Sequence, residues 1–409
     1  MQKEYRIARA TPLEGGRRSA LDADEIVTAA LKRSGRRDFA DLSFLLPLRR
    51  LIAACNAEGN LSTFGRRVVR FDVLRCLKNV LELDAMEEEQ PEVRSRPLER
   101  PIFITGMPRS GTTLLHRLLL QDPTAAAPLV WQLVYPYLTR HGQFGARLRR
   151  LWVGAQLQLM RLIAPDLNDL HPFSIEAPEE CSELTAQVFQ SSRYLATYRV
   201  PTFQRWLEGY GYRNAYRFHR RFLQHLDVQM PDRRWILKAP DHVFALDDLR
   251  AIYPDARIVF VHRDPVRVLA SVARLTEVLR RPFTRSIDPA EIGHEVSSLW
   301  NDGAERMIRA ADGPESILHL QYRQILTDPI EAARAVLRHA GRALSAETEA
   351  GMRAWLSGAH NAPKHGSARR RYDLAMFGLE PQSLRAQFAR YTERFGVELE
   401  WQKSSGSWV

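Results

Sequence analysis

Residues 102–120 read IFITGMPRSGTTLLHRLLL, a short apolar run, a loop between two glycines, and then a leucine-rich helical pattern. The loop runs from Gly106 to Gly111, and Thr112 and Thr113 fall in the first turn of the predicted helix. Backbone N–H groups at such a helix start converge on an anion, and the helix dipole adds to the attraction. The segment therefore predicts a phosphate-binding loop between a strand and a helix.

This loop differs from those of ATP- and GTP-hydrolysing proteins at one position. Their pattern, G-x-x-x-x-G-K-[ST], has a lysine after the second glycine, and Thr112 stands there instead. That lysine normally reaches the β- and γ-phosphates, so its absence argues against hydrolysis of ATP or GTP. A P-loop kinase or other nucleotide phosphotransferase stays an alternative function, although it would need that lysine.

Three further apolar runs predict strands: WILK at 235–238, RIVFVH at 257–262 and ILHLQY at 317–322. Each is followed by turn residues and a helical pattern, which predicts an α/β fold with a P-loop-containing parallel sheet flanked by helices. About 130 residues separate the first two strands, more than a crossover needs. We therefore expect a large, mostly helical insertion at about 125–234 that builds a substrate pocket.

The chain before the loop has a helical character of its own. Residues 20–90 alternate apolar and charged positions at helical spacing, with breaks expected at Gly35, Pro47 and Gly59. An acidic, proline-containing stretch follows and makes 86–100 the predicted linker. These features predict a helical N-terminal extension over 1–95 and a nucleotide-binding domain over 96–409.

The composition favours an anionic partner. Of the 409 residues, 45% are hydrophobic and 26% charged, and the net charge is +11. The 59 lysines and arginines are spread along the chain rather than gathered in a stripe or tail, which argues against nucleic acid. A non-catalytic basic protein that binds nucleic acid or a membrane surface is the alternative from another class.

The cysteines and the apolar runs indicate the compartment. Cys55, Cys76 and Cys181 are widely spaced and odd in number, so neither a disulfide framework nor a metal site is predicted, and no divalent ion is expected. No apolar run has the length of a signal peptide or a membrane span, so we expect a cytoplasmic protein without stable membrane insertion. The amphipathic stretch 148–163 predicts a buried helix or, alternatively, an association with a membrane or an apolar acceptor.

The loop GMPRSGTT resembles the 5'-phosphosulfate-binding loop of sulfotransferases that use 3'-phosphoadenosine-5'-phosphosulfate (PAPS), including bacterial and tyrosylprotein-type members. The resemblance implies transfer of a sulfuryl group to an acceptor hydroxyl or amine, with release of 3'-phosphoadenosine-5'-phosphate (PAP) and without a metal. It implies that Arg109 contacts the 5'-phosphate and the transferring group. It also implies that donors to the phosphosulfate come from Ser110, Gly111, Thr112 and Thr113.

A second segment, RIVFVHRDPVRVLASV, resembles the 3'-phosphate site of the same family. There an arginine at a strand end and a serine eight residues later grip the phosphate, which here implies Arg263 and Ser271. Asp264-Pro265 predicts a helix that starts directly after the strand, with Ser271 about two turns along it. If both motifs bind one donor molecule, the loop and the Arg263/Ser271 pair must face each other.

Two looser matches add candidate nucleotide contacts. ILHLQYRQILTDP resembles the segment whose tyrosine, here Tyr322, approaches the adenine, although a core tyrosine would fit as well. KHGSARRRYDLAMFGL resembles the basic loop that closes over the nucleotide, which implies roles for Lys364, Gly366 and Arg371. The arginine run there could equally be a solvated surface.

Sulfuryl transfer resembles phosphoryl transfer, in which positioning and charge stabilisation outweigh covalent catalysis. Lys238, at the end of WILK, matches the family lysine at the leaving group, and Arg109 would share that task. The residues leave the general base open, because related chains often carry a glutamate where this chain has Gln132. The first candidate is His242, which titrates near neutral pH, and the second is Glu180. Weaker candidates are Glu176, Glu179, His116 and His171.

The acceptor is predicted only by class. The insertion is rich in aromatic residues, which favours an apolar, aromatic or glycosylated small molecule unless those residues simply form the core. The oligomeric state is left open.

Overall fold

The computed structural model describes residues 20–136, 142–170, 174–313, 316–358 and 373–400. The strands are β1 (Ile102–Gly106), β2 (Ala125–Ala126), β3 (Arg234–Lys238), β4 (Arg257–His262) and β5 (Ile317–Gln321). Short 3₁₀ helices span Pro91–Ser95, Pro240–Phe244 and Ala375–Phe377. The α-helices are α1 (Ala23–Ser34), α2 (Leu45–Ala57), α3 (Thr63–Glu89), α4 (Thr112–Leu119), α5 (Val130–Val134), α6 (Gly142–Ile163), α7 (Leu167–Leu170), α8 (Ser182–Ala186), α9 (Arg193–Thr197), α10 (Pro201–Tyr210), α11 (Arg213–Asp227), α12 (Leu246–Ile252), α13 (Pro265–Arg280), α14 (Pro289–Ala311), α15 (Tyr322–Thr327), α16 (Pro329–His339), α17 (Ala346–Ser357), α18 (Pro381–Gln387) and α19 (Ala389–Phe395).

The strands form one parallel sheet in the order β2-β3-β1-β4-β5. In this register Ile104 lies opposite Lys238, and Gly106 lies opposite Val261. Because all strands run the same way, the loop after β1 sits between the C-terminal ends of β3 and β4. The predicted α/β class is confirmed, and β2, which the sequence analysis missed, adds a two-residue edge strand.

Alternate residues of the strands point into two separate helical layers. Phe103, Leu237 and Phe260 face a large core shared with the N-terminal helices and with α11, α13 and α14. Ile104 and Val259 face a smaller core formed with α4, α16 and α17. Both faces of the sheet are therefore covered, which explains why the strands read as continuous apolar runs.

The N-terminal helices are part of this structure rather than an appendage with a core of its own. Residues of α1, α2 and α3 belong to the same buried cluster as one face of the sheet. Of the three expected breaks, Gly35 ends α1 with a φ of 68°, and Gly59 follows the end of α2. The third, Pro47, instead lies in the first turn of α2, where its missing N–H costs nothing. The division into 1–95 and 96–409 stays a prediction.

The predicted linker at 86–100 is wrong in its first residues, because α3 continues to Glu89. The buried carboxylate of Glu87 pairs with Arg94, Arg221 and His225, which ties the end of α3 to α11. Further on, Arg96 pairs with Asp227. The segment is thus held in place by ion pairs, although its composition predicted a linker.

Between β2 and β3 the described chain is helical, from α5 to α11. At the other end of the chain, the predicted last helix at 381–395 is two helices, α18 and α19, that meet at Phe388. Across the described ranges, no helix combines the length and apolarity that a membrane crossing requires.

Candidate active site

The loop after β1 is built by backbone conformations that few residues can adopt. Gly106 has a φ of 123°, and a Cβ atom there would lie 2.3 Å from the carbonyl oxygen of Val261. Gly111 has a φ of 86° and precedes α4, and its Cβ would meet the Tyr322 ring at 3.0 Å. Arg109 has a φ of 59° although it is not a glycine. Such positive φ values in side-chain-bearing residues cluster at ligand-binding sites.

The side chains of the loop divide between the interior and the surface. The Ser110 hydroxyl is buried and donates to the carbonyl of Met107 at 2.5 Å, which closes the loop on itself. Thr112 is buried as well, whereas Arg109 and Thr113 are exposed. The amides at the start of α4 lie in the first turn of the helix, where no carbonyl of the same helix can accept from them. The loop therefore presents N–H donors, a cationic side chain and a hydroxyl at the sheet edge.

Arg263 lies against this loop. Its Nη1 donates to the carbonyl oxygen of Arg109 at 2.5 Å, and its guanidinium lies 3.8 Å from the centre of the Tyr322 ring. The Glu400 carboxylate accepts from Nε of Arg263 at 2.7 Å and from Nη2 at 2.9 Å. Arg109, Gly111, Arg263 and Tyr322 are thus brought together, and a carboxylate is already bound to the guanidinium.

Ser271 lies on the helix that follows Arg263. That helix, α13, starts at Pro265 and is capped by Asp264, whose carboxylate accepts from the amide of Val266 at 3.0 Å. Asp264 also accepts from the amide of Glu400 at 2.8 Å. Ser271 falls in the second turn of α13 and is buried. The helix start predicted from Asp264-Pro265 is therefore correct.

Lys238 ends β3 and is only 3% exposed. Its Nζ donates to Oε1 of Glu180 at 2.5 Å. The amide of Cys181 donates to the carbonyl of Lys238 at 3.0 Å, which docks the segment carrying Glu180 onto the end of the strand. A buried ammonium needs such a partner, since an unpaired buried charge costs several kcal/mol. Lys238, predicted to stabilise charge, and Glu180, the second candidate for the general base, thus form one ion pair.

The neighbouring acids have different environments. Glu179 accepts from the amide of Glu180 at 2.8 Å, and burial together with the Glu180 charge raises its pKa to about 7. Glu176 points outward, where it pairs with Arg150 at 2.9 Å and accepts from the Trp131 indole at 3.1 Å. A carboxyl whose pKa is raised toward neutrality by burial and a charged neighbour is a common feature of active sites.

His242, the first candidate for the base, is turned into the protein interior. Its Nδ1 lies 2.5 Å from the Tyr216 hydroxyl, and its ring packs edge-on against Phe103 at 5.0 Å between centroids. Burial, the nearby His219 and Lys238 lower its pKa well below the usual range. The 3₁₀ helix Pro240–Phe244 produces this orientation, which the spacing from Lys238 could not reveal. A neutral, 1% exposed ring is poorly placed to accept a proton from a substrate.

The remaining candidates have structural partners or lie outside the description. His116 Nε2 bonds to the carbonyl of Ile236 at 2.9 Å, and burial and the Lys238 charge lower its pKa to about 3. Gln132 is buried, and its side-chain oxygen accepts from the Leu129 amide at 2.9 Å, so it caps α5. The residues outside the described ranges are His171, Lys364, Gly366 and Arg371.

Two contacts of the site were missed in the sequence. Glu400 lies 137 positions beyond Arg263, and a single acid so far along the chain gives no local sequence signal for this pairing. Thr105 donates from its hydroxyl to the carbonyl of Pro240 at 3.0 Å and so joins the end of β1 to the 3₁₀ helix after β3. The available signal for the second contact was a threonine that ends the continuous apolar run IFIT.

Other reactive groups are distributed without clustering. Cys55, Cys76 and Cys181 are buried thiols that form no disulfide. Over the described parts of the chain, no group of three or more His, Cys, Asp or Glu side chains is arranged to hold a metal ion.

Two solved sulfotransferase structures have the same fold as this chain. The sulfotransferase STF9 from Mycobacterium avium superimposes with a TM-score of 0.82 at 28% identity, covering 95% of this chain and 100% of that one. The sulfotransferase STF1 from Mycobacterium tuberculosis gives a TM-score of 0.79 at 29% identity, covering 91% of this chain and 100% of that one. The similarity thus includes the helical regions as well as the sheet.

Sequence comparison gives the family. The chain is 27% identical over 259 residues to the omega-hydroxy-beta-dihydromenaquinone-9 sulfotransferases Stf3 of Mycobacterium bovis and Mycobacterium tuberculosis. The match covers 59% of this chain and 62% of theirs, so it spans less than two thirds of the length of these curated relatives. A model described as the sulfotransferase family matches residues 101–346. The family predicted from GMPRSGTT is thereby confirmed: this chain belongs to the sulfotransferase family.

Proposed function

We propose that the protein transfers a sulfuryl group from PAPS to a hydroxyl, or an amine, of a small-molecule acceptor. The observation that carries the proposal is the hydrogen bond from Arg263 to the carbonyl of Arg109. It supports a single binding edge for both phosphate-bearing ends of one adenosine nucleotide. The positive φ values of Gly106 and Gly111, with backbone or ring atoms where a Cβ would be, suit a loop that lets an anion approach the main chain.

The Arg263 guanidinium suits the 3'-phosphate for a second reason. It already holds both oxygens of the Glu400 carboxylate, and the planar fork of arginine binds carboxylate and phosphate oxygens in the same way. Ser271, buried in the second turn of α13, is the proposed second ligand. Tyr322 carries the guanidinium on its ring, so we propose that it orients Arg263 beside the adenosine.

PAPS would supply the sulfuryl group. The chain's own residues would stabilise the charge on the leaving group and accept the acceptor's proton. The sulfur–oxygen bond to the donor's phosphate breaks as a sulfur–oxygen bond to the acceptor forms. Lys238 and Arg109 neutralise charge on the leaving phosphate oxygen, and the Thr113 hydroxyl and the backbone amides of Ser110, Gly111 and Thr112 hold the donor in line. Glu180 accepts the acceptor's proton, since its contact with Lys238 places a carboxylate beside the cation proposed for the leaving group.

The proposed acceptor is a hydroxylated apolar molecule. The relatives named Stf3 are described as acting on an omega-hydroxy dihydromenaquinone, a long apolar molecule that ends in a hydroxyl. The helical region from α5 to α11, which contains the Glu180 segment, has many aromatic side chains, but Tyr194, Tyr198 and Phe203 among them are buried in the core, so the relatives carry this part of the proposal. A hydroxyl at the end of an apolar body is therefore the first class to test.

The test has two stages. Titration calorimetry with PAP should show saturable binding without a divalent ion, and ATP with Mg²⁺ should bind far more weakly. Incubation with PAPS and a panel of hydroxylated apolar molecules should give products heavier by one sulfuryl group in mass spectrometry. Absence of PAP affinity would overturn the proposed donor, and turnover of ATP would favour a phosphotransferase instead.

A further inference from the structure

The outward face of α6 is apolar although it faces solvent. Five large side chains along it are between 52% and 80% exposed: Leu148, Leu151, Trp152, Leu159 and Leu162. Their spacing places them on one side of the helix. Folded proteins seldom expose a continuous apolar stripe unless it contacts something.

The opposite face of α6 is already packed. Val153 is buried in a small core with Val130 and Trp131, and Met160 packs against the cluster around Ala164 and Val278. The outward stripe is therefore not needed to hold the helix on the protein. Its apolar residues have a second use.

A groove continues this surface onto the N-terminal helices. It has a volume of about 350 Å³ and lies between α6 and α3, where Phe71 and Leu74 face Leu148 and Trp152. Phe71 is itself 49% exposed. The apolar surface thus extends across two helices that are far apart in the sequence.

The charged side chains that line the groove are basic. They are Arg33, Arg75, Lys78 and Arg149, of which Arg75 is buried and already pairs with Asp72 at 2.7 Å, and none of the described lining residues carries a carboxylate. Arg147 lies on α6 beside the stripe and is exposed. An apolar stripe bordered by arginines and lysines is the pattern of a helix that lies in the headgroup region of an anionic bilayer.

A second copy of the chain suits this surface less well. In a two-fold interface the same patch meets itself, so the cationic borders of the two grooves would face each other. Nucleic acid would engage the cations but leave the exposed leucines in water. An anionic lipid surface satisfies both features at once.

The surface is tied to the candidate active site. The Tyr135 hydroxyl accepts from the Trp152 indole at 3.1 Å and from the Gln156 amide at 2.9 Å. Arg150 of α6 stacks on Trp131 and pairs with Glu176, a few residues before Glu180. The helix with the apolar stripe is therefore in direct contact with the segment that carries the catalytic candidate.

We propose that the outward face of α6 and the adjoining groove dock the protein on an anionic lipid bilayer, from which the apolar acceptor is taken. The second half of this statement rests on the proposed function. The docking itself does not, because it depends only on the exposed stripe and its cationic border.

The experiment is co-sedimentation of the whole protein with vesicles, without donor or acceptor. Vesicles of phosphatidylcholine containing phosphatidylglycerol are compared with vesicles of phosphatidylcholine alone. We expect binding to the anionic vesicles, at least about tenfold weaker binding to the neutral ones, and loss of binding at high salt. The double variant Leu151→Glu/Leu162→Glu should lose at least about tenfold in affinity, since two apolar contacts become anionic.

The matched control is Met376→Glu, which makes the same kind of change at a 46% exposed residue of another element. It should bind vesicles like the wild type, and circular dichroism melting should show both variants folded. Docking is overturned if the wild type ignores anionic vesicles or if the double variant binds them equally well. A wild-type dimer in light scattering that the double variant dissolves, without vesicle binding, would assign the stripe to self-association. Sulfuryl transfer to a water-soluble hydroxylated acceptor is measured separately. That measurement tests the proposed function independently of docking.

Discussion

The loop at 106–113 and the acid segment at 174–181 both adjoin the C-terminal edge of the sheet, but they are made differently. The loop depends on main-chain conformation, with positive φ at Gly106, Arg109 and Gly111. The acid segment depends on side-chain charge, since Glu180 pairs with Lys238 and Glu179 titrates near neutrality. The loop should therefore be sensitive to added atoms, and the acid segment to removed charge.

Gly106→Ala should have the largest effect. The new Cβ would lie 2.3 Å from the Val261 carbonyl oxygen, in the middle of the sheet, and would require a positive φ. We expect a loss of about 2–5 kcal/mol in the free energy of unfolding and loss of PAP binding, measured by denaturant titration and calorimetry. Gly209→Ala is the control, because nothing lies within 4 Å of its Cβ position. Its stability should change by no more than about 1 kcal/mol, and equal losses in the two variants would refute the steric account of the loop.

Glu180→Gln should act on turnover and leave PAP affinity within a few-fold of wild type. The amide oxygen still accepts from Lys238, but it cannot take the acceptor's proton. We expect turnover to fall by about 100-fold or more. Glu176→Gln is the matched control and should have a small effect, since Glu176 pairs with Arg150 on the outside. If Glu180→Gln retains full turnover while His242→Asn loses it, the base has been misassigned.

Arg263→Ala tests whether the loop binds the nucleotide alone. Removing a charged, bidentate donor should weaken PAP binding by about 10- to 100-fold in calorimetry. Glu400→Gln should strengthen PAP binding by a few-fold, because the carboxylate that is bonded to Arg263 in the wild type competes with a phosphate for the same N–H groups. Arg323→Gln, which breaks an exposed pair with Glu398, serves as the control and should change little. Unaltered PAP affinity in Arg263→Ala would separate the two motifs.

The pH dependence of stability gives the smallest effect. The pKa of Glu179 is raised to about 7 from an ordinary value of 4.5, so the folded protein holds a proton that the unfolded chain releases. This contribution to stability is complete below the unfolded pKa and is lost as the pH rises from about 4.5 to about 7. Glu179→Gln should reduce the fall in melting temperature between about pH 5 and about pH 8 by a few degrees. Glu176→Gln should leave that fall unchanged, and an identical fall in Glu179→Gln would contradict the raised pKa.

The same contrast explains what could be predicted from the sequence. Gly106 and Gly111 are required by local backbone geometry, so a short motif revealed the loop, its strand and its helix. Asp264-Pro265 likewise marked the start of α13. Ala125–Ala126 gave no strand signal, because two alanines have no apolar alternation, and their pairing with β3 comes from the edge of the sheet.

Charged contacts between distant segments were harder to predict. His242 was favoured because it follows Lys238 and titrates near neutrality, yet its side chain bonds to Tyr216 in the core. Glu180 was only the second candidate, because its partner Lys238 lies 58 positions away and no local pattern joins the two. The first residues of the predicted linker at 86–100 were wrong for the same reason, since Glu87 pairs with residues of α11 that no local pattern identifies.

The ion pair between Lys238 and Glu180 has a kinetic consequence. While the ammonium holds the carboxylate at 2.5 Å, an acceptor hydroxyl meets a base that is already engaged. A donor phosphate that draws the ammonium toward itself would release the carboxylate, so PAPS should be the first substrate to bind and PAP the last product to leave. Steady-state inhibition by PAP would then be competitive against PAPS and noncompetitive against the acceptor, which makes one buried contact the origin of the order of addition.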